Sequence, residues 1–195
     1  MGGHMNLSTN PSAVRSRAEI TAALLELMKK YDYADITVKQ IILETKLVRK
    51  TFYRNFRCKD DVIDSYISSL LADYVSALTR PGADILEVIF DNCIKNRDLL
   101  LILHKNNLLY RVMTLINEYI VCAHNETDPS VNPFSAYLEG LEPDYPIAFT
   151  VGGIWSVISK WVSDGMTEPP DQIIACLRGY LDALSHRNGG NACDA

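Results

Sequence analysis

The chain lacks any stretch approaching the roughly 18 uninterrupted apolar residues that a membrane span needs, so no membrane partner is expected. It also lacks paired cysteines. Cys58, Cys93, Cys122, Cys176 and Cys193 show no Cys-x-x-Cys spacing, and an odd count without an export signal argues against a disulfide framework and for a reducing cytoplasm. His4, His104, His124 and His186 have no metal-ligand spacing to one another or to the cysteines, so neither a metal nor another cofactor is expected. The sequence holds no GxSxG elbow, Walker loop, dinucleotide fingerprint or HExxH pair. Its acidic residues have no diagnostic spacing, and an enzyme is not expected. Runs of alternating polar and apolar residues bounded by hairpin turns are missing too, as are internal repeats and low-complexity tracts.

What is present is a 195-residue chain with 48% hydrophobic and 22% charged residues, the composition of a soluble globular protein. Its net charge of -5 is unevenly placed. From Ala13 to Lys59 there are 11 Lys and Arg against 5 Asp and Glu, whereas the remainder holds 8 against 19. A basic head on an acidic body offers a favourable potential to a polyanion at one end only. Charge alone leaves a merely solvated set of helix faces equally open.

The dominant hydrophobic period is close to 3.6, which predicts an all-α chain. A first helix opens at Asn10-Pro11-Ser12, with Asn10 or Ser12 as cap, and buries Ile20, Leu24, Leu27, Met28 and Tyr31 before a turn at residues 32–35. Thr37, three residues before Gln40, forms a capping-box candidate for a short helix with Val38, Ile41, Ile42 and Thr45 inward. A break at Lys46-Leu47 precedes a second short helix over 48–55 that buries Phe52 and Phe56. Helices this short must pack on the first one as a three-helix unit. A connector follows from Lys59 or Asp60 to Leu78, stopped by Arg80-Pro81-Gly82. Further helices are expected at 83–95, 97–104, 107–124, 145–163 and 171–186, with a loop over 125–144 carrying one turn at 134–138. The domains predicted are residues 1–9, a cloning remnant and unstructured start; 10–58, a helix-turn-helix head; 59–188, a larger helical body; and 189–195, an unstructured tail.

A helix of about eight residues fits a major groove about 12 Å wide, provided its outer face offers donors to bases and phosphates. Arg49, Lys50, Thr51, Tyr53, Arg54 and Asn55 supply such a face, with Arg49 the best candidate for base reading and Lys50 and Arg54 suited to either bases or phosphates. Lys59, at the next helix start, can clamp the DNA backbone. The alternative is a solvated basic face with Tyr53 packed in the head.

The segment from Ile36 to Lys59 resembles the DNA-binding signature of the TetR family through Thr37, Ile41, Thr51, Tyr53, Phe56 and Lys59, followed by Asp60 and Asp61. The resemblance covers roughly residues 13–75. It departs at Lys46, where the family often has Gly, and at Val48, where it often has Ser. A left-handed turn residue other than Gly costs about 1 kcal/mol, and Val cannot cap through its side chain. These changes put the phosphate contacts at the helix start, Val48 included, in question rather than the fold. The resemblance implies a bacterial transcription regulator, a repressor rather than an activator, that binds double-stranded palindromic DNA as a homodimer, with Thr37 and Tyr53 as phosphate anchors.

It further implies that the last two long helices pair with their copies. Ile147, Val151, Ile154, Ile158 and Trp161 form a heptad-like seam, and Ile173, Leu177, Tyr180 and Leu184 a second line; the alternative is that these fill the chain's own core. A small-molecule inducer would enter a pocket for which Phe90, Tyr110, Met113, Phe149 and Trp155 are candidates. Tyr145, Phe149, Gly152, Gly153, Trp161, Gly165 and Met166 also resemble a subgroup that includes activators of dihydroxyacetone kinase operons, where a protein coregulator can carry the signal. The competing readings are a coregulator whose head no longer binds DNA specifically, and a partner-dependent activator.

Overall fold

A computed structural model describes residues 10–78, 84–126 and 144–189. Every element among them is helical, as the periodicity predicts: α1 Pro11–Lys30, α2 Val38–Glu44, α3 Arg49–Asn55, α4 Lys59–Leu78, α5 Ile85–Lys95, α6 Arg97–Lys105, α7 Leu109–Glu126, α8 Asp144–Ser163 and α9 Pro170–Gly189, with a 3-10 turn at Tyr33–Asp35. The expected remnant at 1–9, the Arg80-Pro81-Gly82 stop, the turn at 134–138 and the tail beyond Gly189 lie outside the described residues.

Asn10 is the cap of α1, its side chain accepting from the Ser12 amide at 3.0 Å, with Pro11 in the first turn. Ile20, Leu24, Leu27 and Met28 are buried as expected. Tyr31 is not: α1 ends at Lys30, so Tyr31 takes extended backbone as the C-cap and is half exposed. Instead Tyr33 in the following 3-10 turn goes inward. Thr37 makes the expected capping box, accepting from the Gln40 amide at 3.3 Å while its own amide donates to the Gln40 side chain at 2.8 Å. The helices α1, α2 and α3 pack on one another over Ile41, Phe52 and Phe56, which are almost fully buried.

The chain forms two compact units. One comprises α1 to α3, α4 as far as Asp73, α6 and α7; the other takes α4 from Tyr74, α5, α8 and α9. Within the first unit, Asn106, Lys105 and Arg111 of the α6–α7 region bond directly to α1, the 3-10 turn and α4. In the second unit the rings of Phe90 and Trp161 lie 5.3 Å apart, and Ile89, Ile158, Val162 and Ile174 are buried as well. Cys93 is buried there, and burial pushes its thiol up to about 12, which makes it inert. Past α8, Gly165 and Met166 both adopt left-handed backbone (φ 75° and 54°), so that the Met166 amide reaches the Trp161 carbonyl at 2.8 Å and closes the helix end. For Met166 that conformation costs about 1 kcal/mol, offset by burial of its side chain. Arg178 of α9 donates to Asp84 at 2.7 Å and Glu87 at 3.0 Å at the start of α5.

Candidate nucleic-acid interface

Helix α3 is divided lengthwise. Phe52, Asn55 and Phe56 turn inward, Thr51 is half-buried, and Arg49, Lys50, Tyr53 and Arg54 are exposed. Those four fall in two columns one turn apart, Arg49 with Tyr53 and Lys50 with Arg54. Asn55 does not join them: it is 7% exposed and its amide donates to the Thr51 carbonyl at 2.8 Å, which corrects its expected place on the outer face. The Tyr53 ring stands edge-on to Phe52 at 5.4 Å, and the Arg49 guanidinium lies 5.4 Å from the Tyr53 ring centre with its NH2 donating to the phenol oxygen at 3.4 Å.

The turn before α3 carries none of the expected backbone penalty. Among the described residues only Asn107, Met166 and Gly165 have positive φ, so Lys46 sits at negative φ and needs no glycine. Thr45 fastens this turn instead, its hydroxyl donating to the Ile42 carbonyl at 3.0 Å and accepting from the Leu47 amide at 3.2 Å. Val48 is the N-cap, in extended backbone, exposed, and with no side-chain cap hydrogen bond. Thr37 is exposed at the start of α2, where its hydroxyl also donates to Gln40 at 2.7 Å.

Lys59 is the second correction. Its ammonium donates to the carbonyls of Tyr33, Ala34 at 3.1 Å and Ile36 at 2.8 Å, and lies 4.4 Å from the Tyr33 ring centre. An ammonium has three N–H donors, so all are spent within the chain and none is left for a DNA phosphate. Around it is a polar cluster that sequence reasoning missed. Tyr33 donates its hydroxyl to Asp60, and burial together with that bond holds the phenol above its ordinary range. Asn106 accepts from the Tyr33 amide at 2.8 Å and donates to the Met28 carbonyl at 3.2 Å and the Ile102 carbonyl at 2.8 Å. Arg111 reaches Asp64 at 2.7 Å and Asp60 at 3.0 Å. The one legible signal was the adjacent pair Asn106-Asn107, a helix stop whose side chains seek backbone partners.

The residues expected in a dimer seam divide. Ile158 and Trp161 are buried in the chain's own core, Trp161 donating its indole N–H to the Glu168 carbonyl at 2.9 Å, so they are not available to a second copy. Val151, Ile154, Ile173 and Leu177 are half-buried and Tyr180 is exposed; the side chains of Ile147 and Leu184 lie outside the described residues. The outward column of α8 runs instead through Tyr145, Phe149, Gly153, Ser156 and Lys160, with Tyr145 and Phe149 each 84% exposed. Of the pocket candidates, Phe90 is buried on Trp161 and Trp155 is half-buried, whereas Phe149 faces outward; Tyr110, exposed, and Met113, half-buried, belong to the first unit. Exposure takes Phe149 and Tyr110 out of an enclosed lining.

Among the described residues the chain is all-helical, with a short helix that offers cations and a tyrosine outward from an apolar base. Residues 83–182 match the TetR-type model described as the transcriptional regulator C-terminal region, and since this is more than half of the chain, the protein belongs to the TetR family. No curated protein matches it. Among the described residues, no helix is long and apolar enough to cross a membrane.

Proposed function

We propose that the protein is a homodimeric, operator-binding repressor. The observation that carries this reading is the divided surface of α3: Arg49, Lys50, Tyr53 and Arg54 outward over buried Phe52 and Phe56. Such a face gives a major groove donors for base edges and phosphates, with Val48 and Thr37 at the rim. One helix of seven residues reads too few bases for specificity, so two copies about 34 Å apart on a palindrome are required. The outward aromatic column of α8, with Tyr180 and Leu181 of α9, is the surface we assign to the second copy. A ligand or protein signal then acts by favouring one setting of α4 and hence one spacing of the two heads. Crosslinking the heads should abolish induction and spare DNA binding; induction that persists would overturn this mechanism.

The direct test is fluorescence anisotropy with DNA from upstream of the protein's own gene at about 50 and 200 mM salt, beside an Arg49→Ala, Tyr53→Ala variant. Steep salt dependence in the wild type and loss of specific binding in the variant support the reading. Failure to enrich any sequence from random DNA would sink it and favour a coregulator role. A partner-dependent activator, as in the subgroup that includes activators of dihydroxyacetone kinase operons, is the second reading. It would place a protein coregulator, in place of a second copy, over Tyr145 and Phe149, two large aromatics on one exposed helix face.

A further inference from the structure

The four outward side chains of α3 are not equivalent. Among the described residues, Lys50 and Arg54 make no hydrogen bond or ion pair, whereas Arg49 is held. A chain of contacts runs outward from the core: Phe52 is fully buried, the Tyr53 ring stands edge-on to it with planes at 77°, and the Arg49 guanidinium lies against Tyr53, within cation–π range of its ring and one long hydrogen bond from its hydroxyl. Each link supports the next. Phe52 supports one edge of the Tyr53 ring, and that ring offers the Arg49 guanidinium a surface to rest on before any DNA arrives.

We propose that Tyr53 is a positioning residue that presets Arg49 to read a guanine in each operator half-site, leaving Lys50 and Arg54 to hold phosphates. This rests on the reading of α3 as the groove-facing helix. The chemistry favours guanine because its N7 and O6 are two adjacent acceptors in the major groove, matched to the two parallel N–H donors of a guanidinium. Discrimination between bases depends on angle and distance, so it gains from an arginine ordered in advance. A phosphate contact tolerates a mobile cation, and the two cations without internal partners suit it. Tyr53 keeps a second capacity: by accepting from Arg49, its hydroxyl has its own proton left to donate to a phosphate oxygen. At 3.4 Å the bond to the phenol oxygen is weak, so the ring rather than the hydroxyl does the positioning.

The test is selection from random-sequence DNA with the full-length wild type and with Arg49→Ala, Tyr53→Phe and Tyr53→Leu, followed by affinity measurements on the selected operator and on a copy carrying 7-deazaguanine at the contacted position. The wild type is expected to require guanine at one position per half-site and to lose about five-fold or more in affinity when N7 is removed. Arg49→Ala loses both the preference and the deaza effect. Tyr53→Phe, which keeps the ring, retains both while binding all sequences more weakly. Tyr53→Leu loses the guanine preference as Arg49→Ala does, although its helical signal and thermal midpoint match those of Tyr53→Phe. If Tyr53→Leu keeps the preference, Tyr53 does not position Arg49; if Arg49→Ala keeps it, another side chain reads that base. A wild type that selects no sequence would overturn the groove-facing reading itself, an outcome distinct from either.

Discussion

Two regions of the first unit carry three basic side chains each and use them in opposite ways. Where α1, α4, α6 and α7 meet, Lys59 donates to three carbonyls, Lys105 to the Lys29 carbonyl at 2.7 Å, and Arg111 to Asp64 and Asp60. On α3, Lys50 and Arg54 have no protein acceptor among the described residues, and Arg49 has only a tyrosine. The basic character of the N-terminal part is therefore not the same thing as the interface proposed for it. A cation serves the fold where helix ends leave carbonyls unsatisfied, and serves a polyanion only where the fold offers it nothing. Substitution should separate the two groups into stability effects and binding effects.

The largest separation is expected between Lys59→Ala and Lys50→Ala. Removing Lys59 leaves three carbonyls between α1 and α2 without their charged donor and should cost about 2–4 kcal/mol in urea unfolding. Removing Lys50 should change stability by less than about 0.5 kcal/mol, while weakening DNA binding uniformly and reducing its salt slope by about one. A Lys59→Ala protein of normal stability and reduced salt slope would reverse the assignment and return Lys59 to the interface.

Asn106→Ala comes next. It deprives the Tyr33 amide and the Met28 carbonyl of their partner together and should cost about 2 kcal/mol. Because Asn106 does not lie on α3, operator affinity measured on the fully folded fraction should be unchanged. A loss of affinity at full folding would mean that the α6–α7 corner sets the position of the helices that meet DNA, and the contrast between the two regions would be one of degree.

How much of this was legible follows from what kind of force placed each residue. The helix order, the Asn10 and Thr37 caps and the buried Phe52 and Phe56 were readable because period and capping chemistry are local. A helical wheel and a family pattern put Asn55 and Lys59 on the outer face because neither can see that a carbonyl from Thr51, or three from residues 33–36, lies within reach. Ile158 and Trp161 fit a heptad seam, yet period alone does not say whether a seam meets a second copy or the chain's own Phe90. The Asn106 cluster joins residues more than 70 positions apart, a separation no local pattern encodes.

Smaller effects are expected at the two short-helix starts, which differ in one respect: Thr37 caps α2 through its side chain and Val48 does not cap α3. Thr37→Ala should cost about 1 kcal/mol, and Val48→Ser should stabilise by up to about 1 kcal/mol if the serine takes the cap bond that valine cannot make. Thermal midpoints of the two variants, moving in opposite directions, check the pair. Two downward shifts would mean that the exposed Val48 side chain is packed rather than idle.

Arg57 is the intermediate case and the smallest effect. Its side chain is exposed like those of α3, but it is paired like those of the corner: its amide and Nε each reach Asp61 Oδ2 at 2.9 Å and its NH2 reaches Oδ1 at 3.0 Å. The Arg57 side-chain bonds hold the Asp61 carboxyl below its ordinary value of 3.8. A carboxyl depressed in the folded state contributes stability that is complete above the unfolded value and is lost as pH falls through the folded one. Wild-type stability should therefore decline below about pH 4 by less than about 1 kcal/mol on account of this pair, since Arg57 itself is open to solvent. Asp61→Asn should remove that part of the acid dependence. If the variant titrates like the wild type, the pair contributes nothing to folding, and Arg57 belongs with Lys50 and Arg54 as a cation available to phosphate.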